Sequence, residues 1–305
     1  MKKLRVGVAG VGHIGSNHAR IYSELPKAEF VALFDIDPAR ADEIGGKYKV
    51  KAAASLDEFA AMIDAASIAT PTSAHFSIAR DLLARGKHLL IEKPITEKTS
   101  DARDLAQLAA EKRLVLQVGH VERFNPVLSA LEQRLTHPRF IEAHRLSPYP
   151  NRSTEIGVVL DLMIHDLEII LHLVDSSVEN IDAVGVPVLS RGEDIANARL
   201  RFANGCIANV TSSRISPERM RKIRVFQEDA YLSLDYQAQS GEIYQRVNEQ
   251  ITRAPVAIEK EEPLRQELAA FVHCALTGGE PRVSGSHAAA ALELAVEITR
   301  RIARS

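Results

Sequence analysis

Three glycines that follow the first apolar run restrict how the start of this chain can fold. Leu4 to Ala9 is a short strand-like segment, and Gly10, Gly12 and Gly15 come directly after it, where a helical pattern begins. A strand that turns through such glycines into a helix leaves the helix N-terminus open to a phosphate group. The glycines allow the tight turn and the close approach of the ligand to the backbone. The spacing therefore predicts a dinucleotide-binding site.

A carboxylate residue lies at the position in the sequence where dinucleotide-binding sites bind the ribose. Asp35 ends the second apolar run, 25 residues after Gly10. It can accept hydrogen bonds from the ribose hydroxyls of NAD and would repel the 2′-phosphate of NADP. Arg40 complicates this choice, because a nearby arginine is the usual partner of that phosphate. We predict NAD in preference to NADP, with His13 and Ile14 of the glycine-rich turn also in contact with it; the alternative is that the glycines only tighten a turn.

The hydrophobic pattern divides the chain into two halves. Residues 1–120 alternate short apolar runs with helical segments, which predicts right-handed crossovers and a doubly wound parallel sheet of the Rossmann type. A long helix is predicted from Ile156 to Val174, and regularly spaced strands without helices from Val178 to Val247 predict an antiparallel sheet. We expect an α/β protein whose N-terminal Rossmann domain, 1–120, precedes an α+β domain, 121–305, with a large open, mainly antiparallel sheet.

Charge and cysteine content exclude several classes of partner. Thirty-eight basic residues against 40 acidic ones leave a net charge of -2, too balanced for nucleic-acid binding. With only Cys206 and Cys274 there is no disulfide framework and no structural zinc motif, so we expect a cytoplasmic protein without a metal. The apolar stretch 156–174 argues against membrane insertion because it carries five ionisable side chains: Asp161, His165, Asp166, Glu168 and His172.

Two local clusters are candidates for a reaction site. Glu92, Lys93 and Pro94 follow the fourth predicted strand, where an open parallel sheet presents its ligand crevice. Asp161 and His165 lie four residues apart, and this spacing places both on one face of a helix.

The helical cluster has several interpretations. Glu168 and His172 continue the stripe of Asp161 and His165, while most residues between them are apolar, so the polar groups need partners or a function. The alternatives are a satisfied polar stripe, a solvent-facing strip and a zinc site. The last is weakened because no HExxH motif or cysteine set accompanies it.

These motifs together resemble those of a known family. GVAGVGHIG at the start, IEKP at 91–94 and DLMIH at 161–165 resemble the Rossmann motif, EKP motif and DxxxH helix of the glucose-fructose oxidoreductase, inositol dehydrogenase and MocA family. The resemblance covers essentially the whole chain. It implies that Lys93, Asp161 and His165 form the reaction site. It also implies further cofactor contacts from Thr70, Pro71, His75 and Glu92, as well as from Lys93 itself.

Within that family, two segments resemble the branch that oxidises the 3-hydroxyl of UDP-N-acetylglucosamine or of a close nucleotide sugar. They are VGHVERFNP at 118–126 and SPYPNRSTEIGVVLDLMIHD at 147–166. The resemblance implies substrate contacts from Arg123, Asn125 and Arg152, a homodimer or homotetramer, a downstream aminotransferase and a place in lipopolysaccharide or lipid A biosynthesis. The alternatives are a dehydrogenase of a UDP-sugar acid or of a free polyol such as inositol, and more remotely a non-catalytic NAD-responsive sensor.

The predicted chemistry is the oxidation of a secondary alcohol. Removal of the hydroxyl proton suits an imidazole near neutral pH, so we assign His165 as the general base. Asp161 would orient this imidazole or hold a sugar hydroxyl, and Lys93 would stabilise the developing alkoxide. Lys93 is the alternative base, and the sequence leaves this division of labour open.

Overall fold

The computed structural model describes residues 3–149 and 156–304, which form two compact units. The first runs to Val121 and also contains Glu262–Ala289; the second contains Glu122–Glu261 and the chain from Ala290 onward. The predicted boundary after residue 120 is therefore close to the first division, but the predicted domain 121–305 is not one continuous body. The physical reason is an apolar helix face, since Leu268 and Phe271 are buried in the core of the first unit.

The first unit is built on six parallel strands, arranged in the order β3-β2-β1-β4-β5-β6. Its strands are β1 (Leu4–Ala9), β2 (Ala28–Phe34), β3 (Lys51–Ala52), β4 (Ala65–Ile68), β5 (His88–Glu92) and β6 (Leu116–Gly119). Its helices are α1 (His13–Glu24), α2 (Pro38–Tyr48), α3 (Leu56–Met62), α4 (Thr72–Ala84) and α5 (Thr99–Glu111), to which α8 (Pro263–Thr277) is added from the C-terminal part of the chain. The predicted doubly wound parallel sheet is confirmed.

The strand order predicts where a ligand crevice lies on this sheet. Sequential order reverses between β1 and β4, and ligands of open parallel sheets bind outside the carboxyl ends of the strands at such a reversal. The central strands are buried on both faces, as the consecutive residues Val8 and Ala9 of β1 and Leu89 to Ile91 of β5 illustrate. The loops that follow β1, β4 and β5 are therefore anchored to rigid, buried strands.

The second unit is built on an eight-stranded sheet in the order β14-β13-β12-β11-β7-β10-β9-β8. All neighbours are antiparallel except β7 and β10, which confirms a mainly antiparallel sheet. Its strands are β7 (Phe140–Leu146), β8 (Val178–Val186), β9 (Ile195–Phe202), β10 (Ile207–Ser213), β11 (Met220–Phe226), β12 (Ala230–Asp235), β13 (Ser240–Val247) and β14 (Gln250–Pro255). A 3₁₀ turn (Val121–Phe124) leads into the unit, whose helices are α6 (Pro126–Glu132) and α7 (Ile164–Val174), and α9 (Gly285–Ile302) ends in it.

The two faces of this sheet differ in burial. Along β7, Ile141, Ala143 and Arg145 are buried, whereas the residues between them are half-buried, which is the period-2 alternation of a sheet covered on one side. On the less buried face, four aromatic rings form a continuous row with centroid separations of 5.7, 4.5 and 5.1 Å. In order, they belong to Phe140, Phe226, Tyr231 and Tyr244.

The predicted helix 156–174 begins differently from the expectation. Val159–Met163 is a π-helical turn, and regular α-helix starts only at Ile164. Close packing accompanies this turn: the Glu193 carboxylate accepts the Val159 N–H at 3.2 Å, and a Cβ at Gly157 would lie 2.0 Å from the same oxygen. Asp161 therefore lies on a π turn, a feature that is frequent at functional sites, and the α-helical spacing used in the sequence analysis does not describe its first turn.

A buried carboxylate fixes the loop that carries Glu193. Asp194 accepts the backbone N–H groups of Val188 and Ser190 at 2.8 and 2.9 Å and pairs with Arg214 at 2.8 Å; neither charged side chain is exposed. Burial opposes its charge, but the N–H donors and Arg214 hold the pKa of Asp194 well below its ordinary value. No helix in the described ranges is long and apolar enough to cross a bilayer.

We expect Asp194→Asn to lower the free energy of unfolding by about 3–5 kcal/mol, because it leaves a buried guanidinium without its carboxylate. Since the folded-state pKa of Asp194 is lowered, its contribution is present above pH ~4 and is lost as the pH falls further. Urea unfolding at pH 7 and at lower pH measures both effects. The matched control is Asp182→Asn on the exposed side of β8, and equal stabilities of the two variants would contradict the assignment.

Candidate active site

The glycine-rich turn between β1 and α1 has the geometry that a dinucleotide needs. Gly10 has φ +83°, and a Cβ there would lie 2.8 Å from the backbone of Ala69 and Thr70. A Cβ at Gly15 would lie 1.8 Å from the carbonyl oxygen of Gly10, so helix and strand meet closely. By contrast, a Cβ at Gly12 would contact only the end of the Arg40 side chain, at 3.8 Å, and no side chain caps the N-terminus of α1. The backbone donors of that turn therefore remain available to an anion.

Asp35 is held in place by the main chain at the end of β2. Its two carboxylate oxygens accept the N–H groups of Val11 at 2.7 Å and Asp37 at 3.0 Å. A carboxylate oxygen can accept more than one hydrogen bond, so ribose hydroxyls can still be bound. The cradle fits NAD: an open glycine turn for the pyrophosphate lies next to a fixed acceptor for the ribose.

Two neighbouring side chains extend the cofactor site. Ile36 is 91% exposed although it is a large apolar residue, and it offers the kind of surface on which a purine base packs. Ile36 was not among the predicted site residues, although its place directly after Asp35 is a signal that the sequence offers. Arg40 is exposed, and one of its guanidinium nitrogens lies 3.8 Å from the position of a Cβ on Gly12. It therefore lies over the glycine turn with a charge suited to phosphate.

The loops after β4 and β5 are joined by a buried histidine. His75 Nε2 lies 2.9 Å from the carbonyl oxygen of Thr70, and Nδ1 lies 3.1 Å from that of Pro94. Burial lowers the pKa of His75, which favours the neutral ring. His75 is only 1% exposed and connects the two loops, and its contact with the cofactor stays a prediction. Thr70 is half-buried and Pro71 is exposed, so both reach the surface of this loop.

Glu92 and Lys93 are at the carboxyl end of β5, as predicted. Both are half-buried, and Glu92 Oε1 lies 3.1 Å from Nε2 of His18 on α1. These residues therefore stand at the edge of the sheet where the cofactor crevice is expected.

Asp161 and His165 lie in the second unit, and both are half-buried. The other two members of the predicted stripe have structural partners. Glu168 is buried with Arg123 Nη1 3.5 Å away, and His172 Nε2 lies 2.8 Å from Glu132. Across the described residues, no group of three or more His, Cys, Asp or Glu is arranged to hold a metal ion.

The predicted substrate residues fall in different places. Asn125 is 3% exposed and caps α6: its amide donates to Glu122 and to the carbonyl of Tyr236, and its oxygen accepts the Val127 N–H. All three hydrogen bonds are made to residues of the second unit, and the contact of Asn125 with substrate stays a prediction. Arg123 is likewise buried, at 2% exposure. Arg152 lies outside the described residues.

A buried ion network that the sequence analysis missed supports the helix that carries His165. Arg145 of β7 binds Asp166 through two hydrogen bonds of 2.8 and 2.9 Å and Glu122 through a third of 3.0 Å. Burial opposes the charge of Glu122, but Arg145 and Arg221 keep its pKa below the ordinary value. An arginine in an inward position of an alternating strand was the available signal. The network fixes the residue next to His165.

The first unit is a dinucleotide-binding domain of the Rossmann class. Its parallel sheet reverses its strand order beside the glycine turn, and a carboxylate is fixed at the end of the next strand. Residues 4–120 match the model of an oxidoreductase family with an NAD-binding Rossmann fold, and residues 131–233 match the GFO/IDH/MocA C-terminal domain. The chain belongs to the GFO/IDH/MocA family, and the predicted NAD-binding fold is confirmed.

Similar proteins include characterised dehydrogenases. UDP-N-acetylglucosamine 3-dehydrogenase of Acidithiobacillus ferrooxidans is 40% identical over 247 residues, which is 81% of this chain and 78% of that protein. A solved structure under that name from the same organism has a TM-score of 0.94 at 35% identity and covers 99% of this chain and 98% of its own. Inositol 2-dehydrogenase of Rhizobium meliloti is 26% identical across 98% of this chain and 97% of its own length.

We expect Asp35→Asn to reduce the preference for NADH over NADPH by on the order of tenfold, because it removes the charge that repels a 2′-phosphate while keeping a hydrogen-bonding oxygen. Adding Arg40→Ala should then weaken NADPH more than NADH. Fluorescence titration with both cofactors measures the two affinities. The control is Arg80→Ala, because Arg80 is an exposed residue of α4. An unchanged preference in Asp35→Asn would refute the role of the carboxylate.

We expect Arg145→Met to lower the free energy of unfolding by about 3–5 kcal/mol, because Asp166 and Glu122 would lose their buried cation. The triple variant Arg145→Met, Glu122→Gln, Asp166→Asn should recover part of the loss, since it no longer buries uncompensated charge. Urea unfolding monitored by circular dichroism compares them. A triple variant less stable than the single one would show that the loss is not electrostatic.

Proposed function

We propose that this protein is an NAD-dependent dehydrogenase that oxidises a secondary hydroxyl of a nucleotide sugar, specifically the 3-hydroxyl of UDP-N-acetylglucosamine, to the 3-oxo sugar. The observation that carries the proposal is the 40% identity to UDP-N-acetylglucosamine 3-dehydrogenase across four fifths of this chain. The alignment is too long to be confined to the cofactor domain, so the likeness extends into the second unit, where substrate specificity of the family would reside.

Bound NAD would supply the hydride acceptor, and the first unit would hold it. The open backbone at Gly12 and the N-terminus of α1 bind the pyrophosphate, and Asp35 binds the ribose hydroxyls. Arg40 adds a cation beside the same turn.

Three residues would handle the sugar hydroxyl. His165 takes its proton, Asp161 orients the imidazole or holds a neighbouring hydroxyl, and Lys93 stabilises the negative charge that develops on the oxygen. The support is chemical and structural: each side chain is half-buried, and His165 precedes Asp166, which Arg145 fixes with two hydrogen bonds. A base held by a rigid neighbour needs little reorganisation.

A free polyol is the second candidate substrate. It is favoured by the 26% identity to inositol 2-dehydrogenase, which extends over nearly the full length of both chains. The lower identity makes this the weaker proposal.

The proposal extends to the setting of the reaction. The row of aromatic rings on the less buried face of the second sheet suits contact with another copy of the chain, as a homodimer or homotetramer. A 3-oxo sugar is an amino-group acceptor, so an aminotransferase would consume the product, in the cytoplasm and on a route to lipopolysaccharide or lipid A.

We expect purified protein to reduce NAD with UDP-N-acetylglucosamine, and not with myo-inositol or the corresponding UDP-sugar acid. Single-turnover absorbance of NADH is the measurement, because an unfavourable equilibrium can hide steady-state turnover. An aminotransferase with its amino donor then draws the reaction forward. If NADH formed with myo-inositol and not with UDP-N-acetylglucosamine, the free polyol would be the substrate instead.

We expect His165→Ala and Lys93→Ala each to lower kcat by at least ~100-fold, because each removes a group that acts on the transferred proton or the developing charge. NADH binding should survive His165→Ala, since the glycine turn lies in the first unit. Matched controls are His172→Ala on the same helix and Lys98→Ala, both exposed. Near-normal turnover in either site variant would remove that residue from the mechanism.

A further inference from the structure

The first unit contains a polar cluster that the proposed chemistry does not use. It lies between α1, the carboxyl-terminal parts of the central strands and α8. Tyr22 donates to or accepts from Ser67 at 2.7 Å, and the side-chain amide of Gln117 donates to the backbone oxygen of Glu267 at 3.0 Å. The cluster consists of His18, Tyr22, Ser67, Glu92, Gln117 and Glu267.

Glu267 is the unusual member of this cluster. It is fully buried, and neither carboxyl oxygen has a hydrogen-bond partner among the residues described. An ionised carboxylate in that environment would pay a large desolvation cost without compensation. Burial, reinforced by the charge of Glu92, raises the pKa of Glu267 well above its ordinary value. Full burial without a hydrogen-bond donor therefore favours the protonated, neutral form of Glu267.

The backbone of Glu267 is hydrogen-bonded to β6, the strand next to the one that carries Glu92. Gln117, which holds the backbone of Glu267, lies on β6 two residues before Gly119, and Gly119 pairs with Glu92 across the sheet. A Cβ at Gly119 would lie 2.7 Å from a carboxylate oxygen of Glu92, so this side chain fills the space beside the glycine. Glu92 is thus fixed between β6 and the 3.1 Å contact with His18 on the cofactor helix.

Glu92 connects the buried acid to the crevice. Its side chain is 18% exposed, whereas His18 and Glu267 are not exposed at all. It also directly precedes Lys93. Any group that changes the charge or position of Glu92 therefore acts at the edge of the sheet where the cofactor binds.

We propose that Glu267 is a positioning residue of the dehydrogenase site, which acts through Glu92 and keeps it paired with His18. A charge on Glu267 would change the electrostatic environment of Glu92 and disturb its position beside His18. The inference rests on the proposed dehydrogenase function, and its test uses no sugar substrate.

The other groups that face Glu267 do not replace Glu92 in this role. Tyr22 on α1 is buried, and burial raises its pKa far above ordinary values, so it stays neutral. Ser67 and Gln117 carry no charge. His18, also on α1, lies beside Glu92, with a distance of 3.1 Å between His18 Nε2 and Glu92 Oε1.

The protonation of Glu267 is tested by unfolding at different pH values. Because the folded-state pKa is raised, native protein loses stability as the pH rises from about 4.5 towards that pKa. Relative to Glu267→Gln, the unfolding constant of the native protein should rise by up to about tenfold per pH unit in this window. Urea unfolding at pH 5, 7 and 9 measures the ratio. Parallel curves for the two proteins would overturn the proposal.

The positioning role is tested by binding of NADH. We expect Glu267→Ala to raise the Kd on the order of tenfold and Glu267→Gln, which keeps a neutral polar group of the same size, to stay within about twofold of the native protein. In a Glu92→Gln background the alanine change should have no further effect. The control is Cys274→Ala on the same face of α8, which should lower stability and leave the Kd unchanged.

Two results would overturn the positioning role. One is a Kd for Glu267→Ala that matches that of Cys274→Ala. The other is additivity of Glu267→Ala with Glu92→Gln, since a merely structural residue does not need Glu92 for its effect. A failure of the sugar reaction with these binding results intact would refute the proposed function alone.

Discussion

A carboxyl group inside a protein must meet a cation, meet several hydrogen-bond donors or keep its proton, and both units of this protein depend on that constraint. In the second unit, Asp166 meets Arg145, and Asp194 meets Arg214 together with backbone N–H groups. In the first unit, Glu267 has no such partner among the described residues, and its burial favours the neutral form instead. These are also the places where the scaffold supports its candidate chemical groups, because a satisfied buried charge has one favoured arrangement.

The two kinds of compensation serve different ends. Paired charges in the second unit fix geometry: Arg145 holds the residue beside His165, and Asp194 orders the loop from which Glu193 reaches the π turn of Asp161. Such pairs add rigidity more than net stability, since desolvation offsets much of their attraction. The buried acid of the first unit, in our proposal, keeps Glu92 in position beside His18.

The pattern of residues predicted the regular parts of the fold because those depend on local periodicity and turn chemistry. Gly10, Gly12 and Gly15 specified the turn after β1, and the apolar runs specified a parallel sheet followed by an antiparallel one. The packing of α8 in the first unit was not predictable. An apolar face shows that a helix is buried, but it does not identify the core against which the helix packs. The burial of His75 and Asn125 was not predictable either, because the position of a residue in a motif does not determine how exposed its side chain is.

By itself, the sequence determined the class of fold, the place of the glycine turn and the identity of the polar residues available for chemistry, because these follow from spacing within single elements. Only the tertiary structure decided the partners of those polar residues: Asp35 with the backbone of Val11, Arg123 beside Glu168, and Gln117 with the backbone oxygen of Glu267. Partners separated by tens to hundreds of residues are brought together by packing. The protonation and orientation of a buried group depend on the side chains that surround it in space, and no local pattern records them.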